Sequence, residues 1–430
     1  MSRTTAPLTF LLCAALTACS QHPPPPSASP PPPQKSEREL LALAAPAGAT
    51  AIDVELKAAQ RRVQDLPKKA DGWVLLGRAW VKKARQSGDP GYYLNADACA
   101  ESALMLEPQH APALNLRGLV LLNAHRFPEA KALAESILAR DGDDAMALGT
   151  LSDALLELGD IDGAIKAADQ MLERKPDLPS YSRASYLRWL RGDVKGALEA
   201  MRLAFDASRG QKDKEPSAWA LVQAANMFWF QGDLDGAASG YQLTLDYLPG
   251  YAPALVGQGR VLLARGEAAQ AVLRFREALT KQPLVETAWL LGDALTAAGD
   301  RAGAAQAWSE VQRLGRQGDP RTLALFLSTK NQDPAEALKL AREEVLKRPG
   351  PHSRDAYAFA LLRAGQIAEA QAEMKAVLEL GVREPAIRYH AGLIALAAGK
   401  KVEGQRLLRE ALRMNPHFDT TGAEEARSVL

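Results

Sequence analysis

The stretch Tyr251 to Pro283, YAPALVGQGRVLLARGEAAQAVLRFREALTKQP, most constrains the fold. Its apolar residues recur at helical spacing in two short runs. The first run extends from about Ala254 to Ala264, and Gly266 ends it by permitting a left-handed turn. The second extends from about Ala268 to Lys281, and Pro283, which lacks an N–H to donate, stops it. Leu255, Gly259 and Leu262 share one face of the first; Ala271, Phe275 and Ala278 share one face of the second. Gly259 and Ala271 are small where two antiparallel helices must cross. A hairpin of this kind leaves an apolar face open, so it needs neighbours of the same kind.

The neighbours are present. A turn residue, an Ala five positions later and an apolar residue recur as Gly159, Ala164, Met171; as Gly232, Ala237, Tyr241; and as Gly299, Ala304, Trp308. Upstream, Trp73, Leu76, Gly77 and Trp80 open another unit, and Gly399 with Ala411 and Pro416 closes the series. This pattern resembles the tetratricopeptide repeat, a helix–turn–helix of about 34 residues. About ten copies cover residues 71–416. The resemblance implies an all-α, right-handed solenoid of about ten helix–turn–helix repeats, with contacts only between neighbouring repeats. Residues 36–70 read as an N-terminal helical cap, with Val54, Ala58, Val63 and Leu66 facing the array. Residues 417–430 read as a C-terminal capping helix, with Ala423, Ala426, Val429 and Leu430 on one side.

Residues 1–18 read as a signal peptide: Arg3, then a short apolar run from Ala6 to Leu16, then small residues. The run is too short to cross a bilayer as a helix. Leu16-Thr17-Ala18-Cys19 resembles the bacterial lipoprotein box, which implies cleavage before Cys19 and its acylation; an ordinary signal peptide cut near Ala18 is the alternative. Ser20 after the Cys, by the family sorting rule, favours an outer membrane over an inner one. The resemblance therefore places the protein in a bacterial envelope, lipid-anchored and facing the periplasm. In residues 19–35, two runs of four prolines after Cys19 favour extended polyproline II and a stiff tether. A proline-rich ligand for another domain is the alternative reading.

Three stretches break the period: Lys82 to Asn95, Ser208 to Glu215 and Arg313 to Asp319. Each reads either as an adapted surface or as a tolerated loop insertion. Composition narrows function further. Without residues 1–18, Lys plus Arg falls from 52 to 51 against 51 Asp plus Glu. A near-neutral chain lacks the basic surface a general nucleic-acid binder needs. With Cys13 removed and Cys19 acylated, Cys99 remains alone and reads as a small buried apolar residue. The six His are scattered without metal-ligand spacing, and Gly257-Gln258-Gly259 follows no strand. No cofactor, metal or catalytic residue is expected, and an enzyme is not.

The remaining classes are a scaffold for a protein segment and, as the alternative, a glycan- or polymer-binding accessory of an export system. Tetratricopeptide lipoproteins of this layout serve pilus assembly, secretion and polysaccharide export. In that family, first-helix positions 2, 5, 9, 12 and 13 line the concave groove. Counting back from Gly232 puts Trp219, Val222, Asn226, Trp229 and Phe230 there. Tyr186, Trp189, Arg260, Trp289 and Asp293 join them from adjacent repeats. Trp, Tyr and Arg often dominate interface energy, and Asn226 would bond a peptide backbone. Packing around the Ser208–Glu215 insertion is the competing use for Trp189 and Trp229. Parallel aromatic planes would suit sugar; aromatics mixed with charges would suit peptide.

Overall fold

In the computed structural model, which describes residues 36–430, there are twenty-three helices and, among the described residues, no strand. Two helices come first, α1 (Glu37–Ala42) and α2 (Ala51–Asp65). Hairpins one to four are α3 (Ala70–Ser87) with α4 (Tyr92–Leu106), α5 (Ala111–Asn123) with α6 (Phe127–Leu138), α7 (Ala145–Glu157) with α8 (Ile161–Arg174), and α9 (Leu178–Leu190) with α10 (Val194–Ser208). Hairpins five to seven are α11 (Glu215–Phe230) with α12 (Leu234–Tyr247), α13 (Ala252–Ala264) with α14 (Ala268–Lys281), and α15 (Val285–Ala297) with α16 (Arg301–Gly318). Hairpins eight to ten are α17 (Pro320–Thr329) with α18 (Pro334–Lys347), α19 (Pro351–Arg363) with α20 (Ile367–Glu379), and α21 (Pro385–Ala397) with α22 (Lys401–Met414). The last helix is α23 (Thr420–Ser428). The signal, lipid and tether readings at residues 1–35, Cys19 included, lie outside the described residues.

Local chemistry explains the boundaries. In α8, α10, α12 and α16, a Gly-Asp turn precedes the helix and a Gly follows at the third helical position. The Asp side chain accepts from that Gly N–H, as Asp160 does from Gly163 and Asp233 from Gly236. This supplies a bond for one of the amides a helix start leaves free. At the crossing of α13 and α14, a Cβ on Gly259 would stand 2.5 Å from Phe275 Cε1, so only glycine fits. Ala271, Phe275 and Ala278 are fully buried opposite it.

The N-terminal cap differs in detail from the sequence expectation. Ile52, Leu56 and Val63 form the buried face of α2, while Val54 and Leu66 are more than half exposed. Polar bonds fix the segment before it: Trp80 Nε1 donates to Ala42 O at 2.9 Å and Asn95 Nδ2 to Leu41 O at 2.7 Å. Asp53 and Lys83 form a buried ion pair at 2.7 Å. Cys99 is buried, and burial pushes its thiol pKa up, away from reactive thiolate.

Two of the three irregular stretches turn out to be helix. Residues 313–318 extend α16 rather than forming a loop, and residues 82–87 extend α3. Residues 209–214 are a loop, and Asp213 within it pairs with Lys82 of α3 at 2.9 Å, across three intervening hairpins.

That pairing belongs to a larger departure from the expectation of neighbour-only contacts. The turn inside a hairpin meets the loop that follows the hairpin five places later. Gln282 Nε2 donates to Arg85 O at 2.7 Å, and Arg383 N donates to Leu190 O at 3.0 Å. Arg191 Nη1 donates to Leu380 O at 3.0 Å, and Asn415 Nδ2 donates to Trp229 O at 2.8 Å. The sequence separations are 197, 193, 189 and 186 residues. Apolar packing follows the same line: Trp189 and Leu190 share a core with Val382 and Ile387. The array is therefore wound so tightly that successive superhelical turns are sealed together along a seam.

Candidate functional site

Sealing the turns narrows the groove into a cavity that stays open to solvent. First helices of several hairpins surround a cavity of about 1500 Å³. Its wall takes Arg85 and Tyr93 from the first hairpin, Trp229 and Phe230 from the fifth, Arg260 from the sixth, and Trp289 and Asp293 from the seventh. Arg313 and Arg321 add charge from the long α16 and from α17. Residues 416–420 close one side together with Ala423, Glu424 and Arg427 of α23.

Of the ten groove residues expected from sequence, five line this cavity: Trp229, Phe230, Arg260, Trp289 and Asp293. Their availability differs. The Trp229 indole packs mostly into the wall with Val222 and Tyr241, and the residue is 7 % exposed. Arg260 pairs with Glu286, and Asp293 pairs with Lys330 at 2.6 Å. Burial raises the Asp293 carboxyl pKa to about 6, with Lys330 opposing the shift and Asp419 adding to it.

The other five lie elsewhere. Trp189, with Phe230 and Arg383, borders a second cavity of about 330 Å³ at the seam. Tyr186 stacks on Trp189 at 5.8 Å, and Trp189 leans on Phe230 at 4.8 Å, so one aromatic file runs from α9 to α11. Trp219 is half-buried against the core of the fourth hairpin. Asn226 is already committed, because its Oδ1 accepts from the Tyr241 hydroxyl at 2.7 Å. Val222 is a core residue, 2 % exposed. The period places these five correctly on first helices; tight winding then moves part of the expected groove face into wall and seam.

Counting within the middle hairpins missed His125 and Arg321. His125 stands at the turn position that glycine holds in most hairpins, with φ 56°, a left-handed conformation uncommon for a non-glycine residue. It lines the cavity, and burial followed by repulsion from Arg348 lowers its pKa, which keeps it neutral at pH 7. A histidine where most other turns carry glycine was the signal available in the sequence. Among the described residues, Arg321 makes no hydrogen bond or ion pair. Its charge acts on His125, on Tyr186 and on the His352–Glu384 pair, three elements at once. The cavity therefore offers one free guanidinium among aromatic faces, with no metal-binding cluster among the described residues. None of the described helices is long and apolar enough to cross a membrane.

The family model described as tetratricopeptide repeat matches residues 115–179, 256–319 and 358–417. No curated protein matches the sequence significantly. Among solved structures, PilW, described as a widely conserved type IV pilus biogenesis factor, is 16% identical. It covers 46% of this chain and 91% of its own, with a TM-score of 0.40. A tetratricopeptide repeat protein from Parabacteroides merdae is 16% identical, covering 59% of this chain and 98% of its own at a TM-score of 0.35. The Cut9-Hcn1 hetero-tetramer of APC/C is 13% identical, covering 89% and 97% at 0.38. Likeness at this level assigns neither partner nor site.

Proposed function

Because this chain belongs to the tetratricopeptide repeat family, we propose that it is a scaffold that holds a segment of another protein in the cavity its hairpins enclose. Tetratricopeptide arrays bind protein, and the carrying observation here is the make-up of the cavity wall. Trp289 and Phe230 line the same cavity as Arg321, whose guanidinium has no partner among the described residues. Aromatic side chains interleaved with charge fit a peptide, with its mixed apolar and carbonyl surface, better than a sugar, which stacks on parallel rings.

The scaffold is proposed to act in the bacterial envelope, anchored through acyl chains on Cys19 and most simply at an outer membrane facing the periplasm. The support is the Leu16-Thr17-Ala18-Cys19 box, with Ser20 after it and the proline tether that follows. Assembly of a pilus or secretion machine is the setting this layout suits.

The test is capture of partner from envelope extracts by the full chain and by two variants, Trp289→Ala and Arg321→Glu. Both side chains border the cavity without carrying the seam. The expected result is loss of captured protein by both, with the melting temperature of Arg321→Glu near that of the parent and that of Trp289→Ala lowered by lost packing on Phe326. Full retention of the captured protein by both variants would put the partner elsewhere.

A further inference from the structure

The two ends of the array are closed by different means. At the N-terminal end, α2 buries Ile52, Leu56 and Val63, and the Asp53–Lys83 pair locks it from inside. At the other end, α23 buries only Gly422, Ala423 and Ala426, all small residues. Polar side chains hold it instead, and they come from three consecutive first helices. Lys330, at the end of α17, donates to Thr421 Oγ1 at 2.9 Å. Arg363 of α19 donates to Glu425 Oε2 at 3.0 Å, and the Tyr389 hydroxyl of α21 donates to the same oxygen. A Cβ on Gly422 would approach Tyr389 Cε1 to 2.9 Å, so the helix is seated closely. Its opposite side, with Thr420, Glu424 and Arg427, faces the large cavity. α23 thus lies inside the groove of hairpins eight to ten as a bound segment would.

We propose that α23 is a displaceable occupant of this groove, and that the surface beneath it receives a partner helix of the same chemistry. That chemistry is small residues at the positions of Gly422, Ala423 and Ala426, with a glutamate at the position of Glu425 to meet Arg363 and Tyr389. A nine-residue helix is below the length of about 12–15 residues at which isolated helices become even marginally stable. α23 therefore depends on these contacts for its form, and its release leaves the ten hairpins and their seam bonds intact. The inference rests on the reading that the cavity takes a protein segment, and it names what that segment presents.

A labelled synthetic peptide with the sequence of residues 417–430 tests it, with binding followed by fluorescence anisotropy against the full chain and its Glu425→Ala variant. With its own tail loosened, the variant is expected to bind the peptide roughly 10-fold or more tightly than the parent, since a competing occupant lowers apparent affinity. A peptide carrying Ala in place of that glutamate should bind neither. Absence of binding to both chains would overturn the proposal, as would equal binding to both. Thr421→Val, which removes the Lys330 bond, serves as the second loosened variant should Glu425→Ala melt the array. Hydrogen exchange on the parent adds an independent reading: α23 amides should exchange faster than those of α22, and equal protection would contradict displacement. The peptide assay needs no natural partner. Peptide binding as expected, with natural capture unaffected by Trp289→Ala and Arg321→Glu, would sink the cavity reading alone. The reverse pattern would sink this inference alone.

Discussion

Asn415 donates a buried hydrogen bond from Nδ2 to the backbone carbonyl of Trp229, 2.8 Å away and 186 residues earlier in the chain. Neither residue is adjacent to the other in any repeat-by-repeat description. The bond exists because one superhelical turn brings the end of the tenth hairpin onto the turn of the fifth. In a seamed array, damage at one hairpin is felt five hairpins away, unlike in an open solenoid.

The turn glycines separate seam from solvent. Gly232 and Gly399 have nearly the same backbone, φ 76° and 77°. A Cβ on Gly232 would meet Pro416 Cδ at 2.9 Å, whereas one on Gly399 meets nothing within 4 Å. Gly399→Ala should cost only the left-handed strain, about 1–2 kcal/mol. Gly232→Ala should cost that and the seam clash together, and should lower the melting temperature further. Equal losses measured by thermal melting would mean that the turns do not seal.

The first of these features was legible in the sequence and the second was not. Gly266 and Pro283 mark the ends of α13 and α14, and α14 runs from Ala268 to Lys281 as the period predicts. Repeats are read locally, and local signals set helices well. Gly159, Gly192 and Gly232 look the same in sequence as Gly266, Gly299 and Gly365. Only the winding decides that the first three are covered by a later turn and the last three face open space. For the same reason the repeat count placed Asn226 on a groove, while the structure commits it to Tyr241. Residues 313–318 read as an insertion because the repeat length was exceeded and two of the six are glycine, yet they lengthen α16, with Gly315 small where a Cβ would stand 2.6 Å from Leu323 Cβ.

Two buried carboxylates give the fold opposite pH dependences. Burial raises Asp293 to about 6, so its folded state favours the proton. The stability it supplies is complete below about pH 4 and is lost as pH rises through 6. The Lys83 and Thr50 bonds hold Asp53 down at about 2, so its contribution is present above about pH 4 and is lost as pH falls through 2. The Asp293→Asn variant should therefore improve relative to the parent as pH rises from 4 to 7, on top of a fixed cost for leaving Lys330 without its partner. Asp53→Asn should lose stability at pH 7 and approach the parent only in strong acid. Melting curves across pH check both, and a difference from the parent that changes with pH in the same direction for the two variants would contradict the assignment.

The proposed anchor predicts that the mature chain begins at Cys19 and fractionates with membranes. A single acyl chain binds marginally, so stable attachment needs more than one. Cys19→Ser should abolish acylation, read by mass spectrometry, and release the protein to the soluble fraction. Unchanged membrane partition of this variant would place the attachment outside Cys19.

Site-specific photo-cross-linking tests the central claim most directly. A photoreactive phenylalanine analogue is placed at Trp289, on the cavity wall, and in a second chain at Leu273, which is 65 % exposed on α14. Irradiation in envelope extract should join a discrete protein to position 289 and none to position 273. A discrete adduct at 273 with none at 289 would mean that the partner rides on the outer surface and that the cavity is not the binding site.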